Sequence, residues 1–185
     1  TKDQMRSLYE FTLNLSRQGL FSPVEIGELE VQLVKLGFTI NEIKDSAKGI
    51  VDLATATGES LSAAAELVAS TLRGLGLATT ETARVVDVMG KAFTSSALDL
   101  SRFRESIKYV APIARELRWS IEEVSAVLGV LADRQLYGSL AGTAFRNIMI
   151  LIARKSSELT KIIGKQVKTF DEFIEAMIEL EDKGV

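Results

Sequence analysis

Several times in this chain a hydroxyl residue is followed three positions later by glutamate near an apolar run, among them Ser22 with Glu25, Thr39 with Glu42, Ser120 with Glu123 and Thr169 with Glu172. This spacing predicts a capping box. The hydroxyl takes the third helical amide, and the glutamate reaches back to the amide of the cap residue. Pro23 stands at the first helical position of the first box, where its missing N–H costs nothing. Phe21 with Ile26, Phe38 with Ile43 and Trp119 with Val124 sit at the spacing of a hydrophobic staple. Stops are marked as well: Gly37, Gly58 and Gly74 or Gly76 fall where a left-handed residue would end a helix.

The starts recur. First-helix caps are expected at Ser22, Ser60, Asp99 and Ser139, which are 38, 39 and 40 residues apart by subtraction. Second-helix caps are expected at Thr39, Thr79 and Ser120, 40 and 41 apart. Apolar positions follow the same offset, as in Val85/Val124, Val88/Val127 and Met89/Leu128. Within units the period is helical: Ile43, Ala47, Ile50, Val51 and Ala54 form one stripe, and Val124, Val127, Leu128 and Leu131 another. With two prolines and 6% aromatics in 185 residues, composition points the same way.

The expectation is therefore an all-α fold: a compact multi-helix domain of stacked helix-turn-helix pairs, about eight or nine helices, spaced near 40 residues. The pairs are placed at about 22–58, 60–97, 99–135 and 139–182, after a leading helix over about 2–18, in a single helical domain over 1–185. A period near 40 fits an α-solenoid or merely stacked hairpins, since either way each unit needs its neighbours to bury its stripe. Pro112 is expected to kink its helix between Lys108 and Ile113. Gly164-Lys165-Gln166-Val167 breaks the helical pattern, leaving room for a short extended segment near residues 164–168, and a last helix is expected over Phe170–Glu181. The chain begins with Thr rather than Met, and is expected to be a fragment of a larger protein.

The stretch "YGSLAGTAFR", residues 137–146, invites two catalytic readings. A phosphate-binding loop needs a lysine after its second glycine, but Thr143 follows Gly142. A serine elbow needs glycine two before and two after the serine; around Ser139 those positions hold Tyr137 and Ala141. The chain also has no histidine to activate a serine and no cysteine to hold a metal. Catalytic, cofactor-binding and metal-binding residues are expected to be none. The packing reading fits better: Ser139 caps the helix, and Ala141, Gly142 and Ala144 let another backbone come close. The apolar run behind them predicts the central helix of the core, with a narrow polar strip of Thr143, Arg146, Asn147 and Arg154.

Glu122-Glu123 and Glu179-Glu181 are acidic neighbours that do not face one another on a helix. The "GLG" of residues 74–76 lacks the strand and third glycine of a dinucleotide fold. Charge is uneven near the C-terminal end. Residues 139–168 carry six bases against Glu158, a balance of +5, and residues 171–183 carry six acids against Lys183. The two segments complement each other or simply solvate. With a net charge of −3 and no interleaved aromatics, direct nucleic-acid binding is not expected. No apolar run approaches the roughly 18 residues that a membrane span needs.

An ordered series of motifs resembles the core region of phage tail tape measure proteins: "FSPVEIGE", "LGFTINEI", "IVDLATATGESLSAAAELV", "LRGLGLATTETARVVDVM", "ALDLSRFRESIKYVAPIARELRWSIEEVSAVLGVLAD" and "GSLAGTAFRNIMILIAR". The resemblance covers roughly residues 10–182, and its most specific parts are the last two blocks. On it, Pro112, Gly138, Ser139, Ala141, Gly142, Thr143, Ala144 and Arg146 are the family-motif and packing residues. Trp119 stands where a smaller aliphatic residue is usual, and Leu136-Tyr137 replaces a short polar or β-branched pair. The resemblance implies a structural domain, not an enzyme, of a phage or prophage protein that sets tail length during assembly. It implies tail assembly chaperones, the major tail protein and self-association as partners, with no small-molecule substrate or cofactor. It places the protein in the host cytoplasm during assembly and in the lumen of the tail tube afterwards. The alternative is a generic helical-repeat interaction module with no tie to a tail.

Overall fold

A computed structural model describes residues 2–163, together with Glu172 and Glu175; side chains at position 151 and over 154–163 are outside the description. Among the described residues all regular structure is helical. Eight α-helices follow in order: α1 (Lys2–Gln18), α2 (Pro23–Lys35), α3 (Ile40–Thr57), α4 (Leu61–Leu75), α5 (Thr82–Ser95), α6 (Leu100–Glu116), α7 (Ile121–Asp133) and α8 (Gly138–Ile163). A 3-10 turn, Thr79–Glu81, precedes α5. The expected break at 164–168 and the helix over Phe170–Glu181 lie outside the described residues. So do the side chains of Arg154 and its basic neighbours.

The caps explain why the helices begin where they do. Ser22, Thr39 and Ser120 each form the complete capping box with Glu25, Glu42 and Glu123. Ser60 accepts from the amide of Ala63, and Asp99 from that of Arg102. Thr79 departs from the expectation. It opens the 3-10 turn, and its hydroxyl donates to Glu42 Oε1 at 2.6 Å instead of capping α5. A charged acceptor 37 positions away outcompetes the local amide. Ser139 departs too: α8 already begins at Gly138, so Ser139 lies inside the first turn, exposed. Pro112 is exposed on α6, which runs past it as one helix. The acceptor it frees belongs to exposed Lys108, within reach of water.

The helix ends share one device. Gly37, Gly58 and Gly76 adopt positive φ, and the next residue's amide returns to a carbonyl five positions back, as in Phe38 to Leu33 (3.0 Å) and Leu77 to Leu72 (2.8 Å). This is the Schellman closure. Arg118 (φ 59°) and Gln135 (φ 63°) close α6 and α7 in the same way without glycine, with Trp119 bonding Ala114 O at 2.8 Å and Leu136 bonding Leu131 O at 2.9 Å.

The contacts group into two compact units, Thr1–Ser95 and Ser96–Val185. In the first, α3 lies among α1, α2, α4 and α5, and buries the predicted stripe Ile43, Ala47, Ile50, Val51 and Ala54 together with Leu53. Helices two apart also touch, α2 with α4 and α3 with α5, as stacked pairs require. A buried hydroxyl pair, Ser46 and Thr82 at 3.0 Å, joins α3 to α5. In the second unit α6 packs chiefly on α8, and α7 touches both. The offset of 39 residues between these apolar positions survives in burial. Val85 and Val124 are both buried, as are Met89 and Leu128, while Val88 and Val127 are both intermediate.

Candidate functional site: the contact between α6 and α8

The side chains of this site come from the start of α6, and the small residues that meet them from the start of α8. Asp99 fixes the first turn of α6: its Oδ1 accepts from the amide of Arg102 at 2.7 Å, and its Oδ2 meets Arg102 Nε at 3.1 Å. The same guanidinium donates through Nη1 to Ala97 O at 2.6 Å and lies over the Tyr137 ring, 4.1 Å from its centroid. Arg102 thus ties the loop before α6 to the residue just before α8. Asp133 of α7 accepts from the amide of Ala97 at 2.7 Å, which holds that loop from the other side.

One turn further on, Ser106 faces α8. Its Oγ lies 2.9 Å from Arg102 O and 2.8 Å from Gly138 O, so its single proton is shared between its own helix and the next. Gly142 sits against the Ser106 backbone. A β-carbon there would stand 2.5 Å from the Ser106 carbonyl oxygen and 3.0 Å from its Cα. No residue but glycine fits this crossing without moving a helix.

Below it, Ala141, Phe145, Met149 and Ile152 of α8 are buried, as are Phe103, Ile107 and Val110 of α6. Trp119 completes the layer, its ring 5.5 Å from that of Phe145 and tilted by 59°. Ala144 is half-buried, and Thr143 and Arg146 are exposed. The exposed face of α8 is wider and less polar than expected, because Leu140 and Ile148 stand on it 62% and 46% exposed. So the structure brings Gly138, Ala141 and Gly142 to one contact, and leaves Pro112, Ser139, Thr143 and Arg146 at the surface. Arg102 and Ser106, which receive the motif, went unmarked in the sequence; Ser106 as a small residue within the stripe Phe103, Ile107, Val110 was the available signal.

What this arrangement can do is hold helices together. Ser139 is exposed in a chain without histidine, and among the described residues no group of acidic side chains could hold a metal ion. Among them, too, no helix is long and apolar enough to cross a membrane. The shifted carboxylates include two at helix starts. Hydrogen bonds from Thr79 and then from Thr39 bring Glu42 down to about 2, and the Ser22 backbone and hydroxyl lower Glu25. Both are held ionised by donors, which is what a capping box does.

Comparison with known proteins gives the family of the chain. The family described as "Phage-related minor tail protein" matches residues 10–184. The chain belongs to that family. A "Tape measure protein" of Pneumococcus phage Dp-1 is 31% identical over 183 residues, covering 99% of this chain and 16% of that protein. A "Probable tape measure protein" of Escherichia phage P2 is 26% identical over 145 residues, 77% of this chain and 18% of that one. The chain therefore spans less than a fifth of either tail protein. No solved structure matches. The Gly138–Ile152 contact lies inside the matched region.

Proposed function

We propose that this chain is a structural, non-enzymatic domain of a phage tail tape measure protein, acting in tail assembly and tail-length determination through protein–protein contacts. The carrying observation is the family match over residues 10–184, on helices that are short, individually capped and packed on one another. Its partners in this reading are tail proteins: assembly chaperones in the host cytoplasm, the major tail protein around it, and further copies of itself. No small-molecule substrate is involved.

The fold bears on how length is set. A continuous helix grows about 1.5 Å per residue, so a ruler would run without joints. Here caps and left-handed closures stop most helices within 13–18 residues, and helices that short need partners to persist. The domain acts folded, beside the graduated ruler and not within it. In-frame deletion of residues 60–95 removes α4 and α5 and uncovers the stripes of α2 and α3. Electron microscopy of phage carrying that deletion should show failed tail assembly. Intact tails shortened by about 54 Å, the length of 36 helical residues, would place the segment in the ruler and refute the reading.

A further inference from the structure

Helix α2 has two apolar faces, and its own unit covers one. Ile26, Leu29 and Leu33 are buried, whereas Val24, Val31 and Val34 stand exposed. Gly27 lies among the exposed valines, and a β-carbon on it would meet nothing within 4 Å. Positions 24, 27, 31 and 34 recur at helical spacing on one face. Valine and glycine are poorer helix formers than the residues that usually fill a solvated face, so α2 is weakened by a stripe its unit leaves open. A groove runs along this face, lined by Val24, Gly27, Glu28, Val31, Gln32 and Lys35. Glu28 and Lys35 are both exposed, and neither has an ion-pair partner among the described residues.

The pattern is complementary to itself. A second copy turned about a two-fold axis at Val31 lays its α2 antiparallel on this one, with Val31 on its own counterpart. Glu28, three residues before Val31, then comes level with Lys35 of the second copy, four residues after it. Val34, three after, comes level with Gly27 of the second copy, four before. Each mismatch is one residue, about 1.5 Å of rise. Under this symmetry like flanks meet, so every contact is made twice: two ion pairs on one side, and two valines seated on glycine notches on the other. A parallel pair would set Glu28 level with Glu28 and Lys35 level with Lys35, which repel.

We propose that the outer face of α2 docks a second copy of this chain, the two α2 helices crossing antiparallel at Val31 with Glu28 and Lys35 paired reciprocally. This gives a place to the self-association in the reading above, and rests on that reading only for the choice of partner. The contact closes at two copies. It is one helix wide, and contacts below about 1,000 Å² are transient, so the free chains exchange.

The chain has no cysteine, so a single one introduced at the axis can bond only its counterpart. Under mild oxidation of the 185-residue chain, Val31→Cys should form disulfide dimers at least about tenfold faster than Val24→Cys. In the docked pair the two Val24 positions lie about 20 Å apart along the helices, beyond the reach of a disulfide. Random collision would favour Val24 instead, which is 70% exposed against 56% for Val31. Adding Lys35→Glu to Val31→Cys turns both ion pairs into repulsions and should slow dimer formation by about tenfold. Adding Glu28→Lys as well should restore the rate. These positions are exposed, and circular dichroism checks that each variant keeps its helices. Equal rates at positions 31 and 24, no effect of Lys35→Glu, or no recovery in the double reversal would each overturn the proposal. The deletion phage tests the tail reading separately, so failure here leaves that reading standing.

Discussion

Replacing Gly142 by alanine adds one methyl group, and the structure gives the direction of its effect. Ordinary contact of a β-carbon begins near 3.4 Å, whereas this one would meet the Ser106 carbonyl oxygen at 2.5 Å. The obstacle is backbone on a packed helix, so it cannot swing aside. Helices α6 and α8 must part by on the order of 1 Å to regain van der Waals distance. Parting loosens a layer in which Phe103, Val110, Ala141, Phe145 and Met149 are at most 1% exposed. It also stretches the hydrogen bond from Ser106 Oγ to Gly138 O. Overpacking of this kind costs about 1–3 kcal/mol, and a weakened hydrogen bond up to about 1 kcal/mol more. Against this, alanine gains about 1 kcal/mol over glycine in a helix interior. The net expectation is a loss of up to about 3 kcal/mol.

The molecule supplies its own control. A β-carbon on Gly27 of α2 would meet nothing within 4 Å, so Gly27→Ala should keep the propensity gain and stabilise by about 0.5–1 kcal/mol. Trp119 is the chain's single tryptophan and lies beside Phe145, so its fluorescence in a denaturant titration reports the unit that holds Gly142. Gly27 lies in the other unit, and circular dichroism follows it. If Gly142→Ala left the tryptophan transition unchanged or moved it to higher denaturant, the close approach would be refuted.

Glu42 is held near 2, well below its ordinary value of 4.5, so its contribution is complete above 4.5 and fades as pH falls from 4.5 toward 2. Glu42→Gln should flatten the acid side of the stability profile, measured by circular dichroism melts between the same two limits. Ser120→Ala should cost about 1 kcal/mol in the tryptophan transition, whereas Ser139→Ala, at an exposed site past the start of α8, should change it by less than about 0.5 kcal/mol. Gln135 closes α7 in the left-handed region, where a side chain costs about 1–2 kcal/mol, so Gln135→Gly should stabilise by about 0.5–1 kcal/mol in the same assay.

Local chemistry was legible in the sequence, and distant chemistry was not. The leading helix, five caps and three glycine closures depend on residues within five positions of one another. Thr79 misled because its partner, Glu42, belongs to a different helix's cap. The closures at Arg118 and Gln135 carry no glycine to announce them, and a large apolar residue, Trp119 or Leu136, comes directly after each. At α8 the small residues announced a close approach, but not the backbone approached. Ser106 is 36 positions earlier, and only the packing of α6 on α8 pairs it with Gly142.

Trp119 shows how the motif is seated in the packing of its unit. Its amide ends α6 on Ala114 O, its neighbour Ser120 begins α7, and its ring meets Phe145 of α8. One residue thus sets the turn between two helices and the depth at which the third is seated. That depth places Gly142 on Ser106, and Ser106 in turn takes the carbonyl of Gly138. Each small residue of the motif that meets α6 is therefore accounted for by a contact, while Ser139, the would-be nucleophile, is exposed. The two glycines of the stretch thus meet α6 directly, Gly142 against the Ser106 backbone and Gly138 through its carbonyl, and that contact fixes α8 against α6 at one depth.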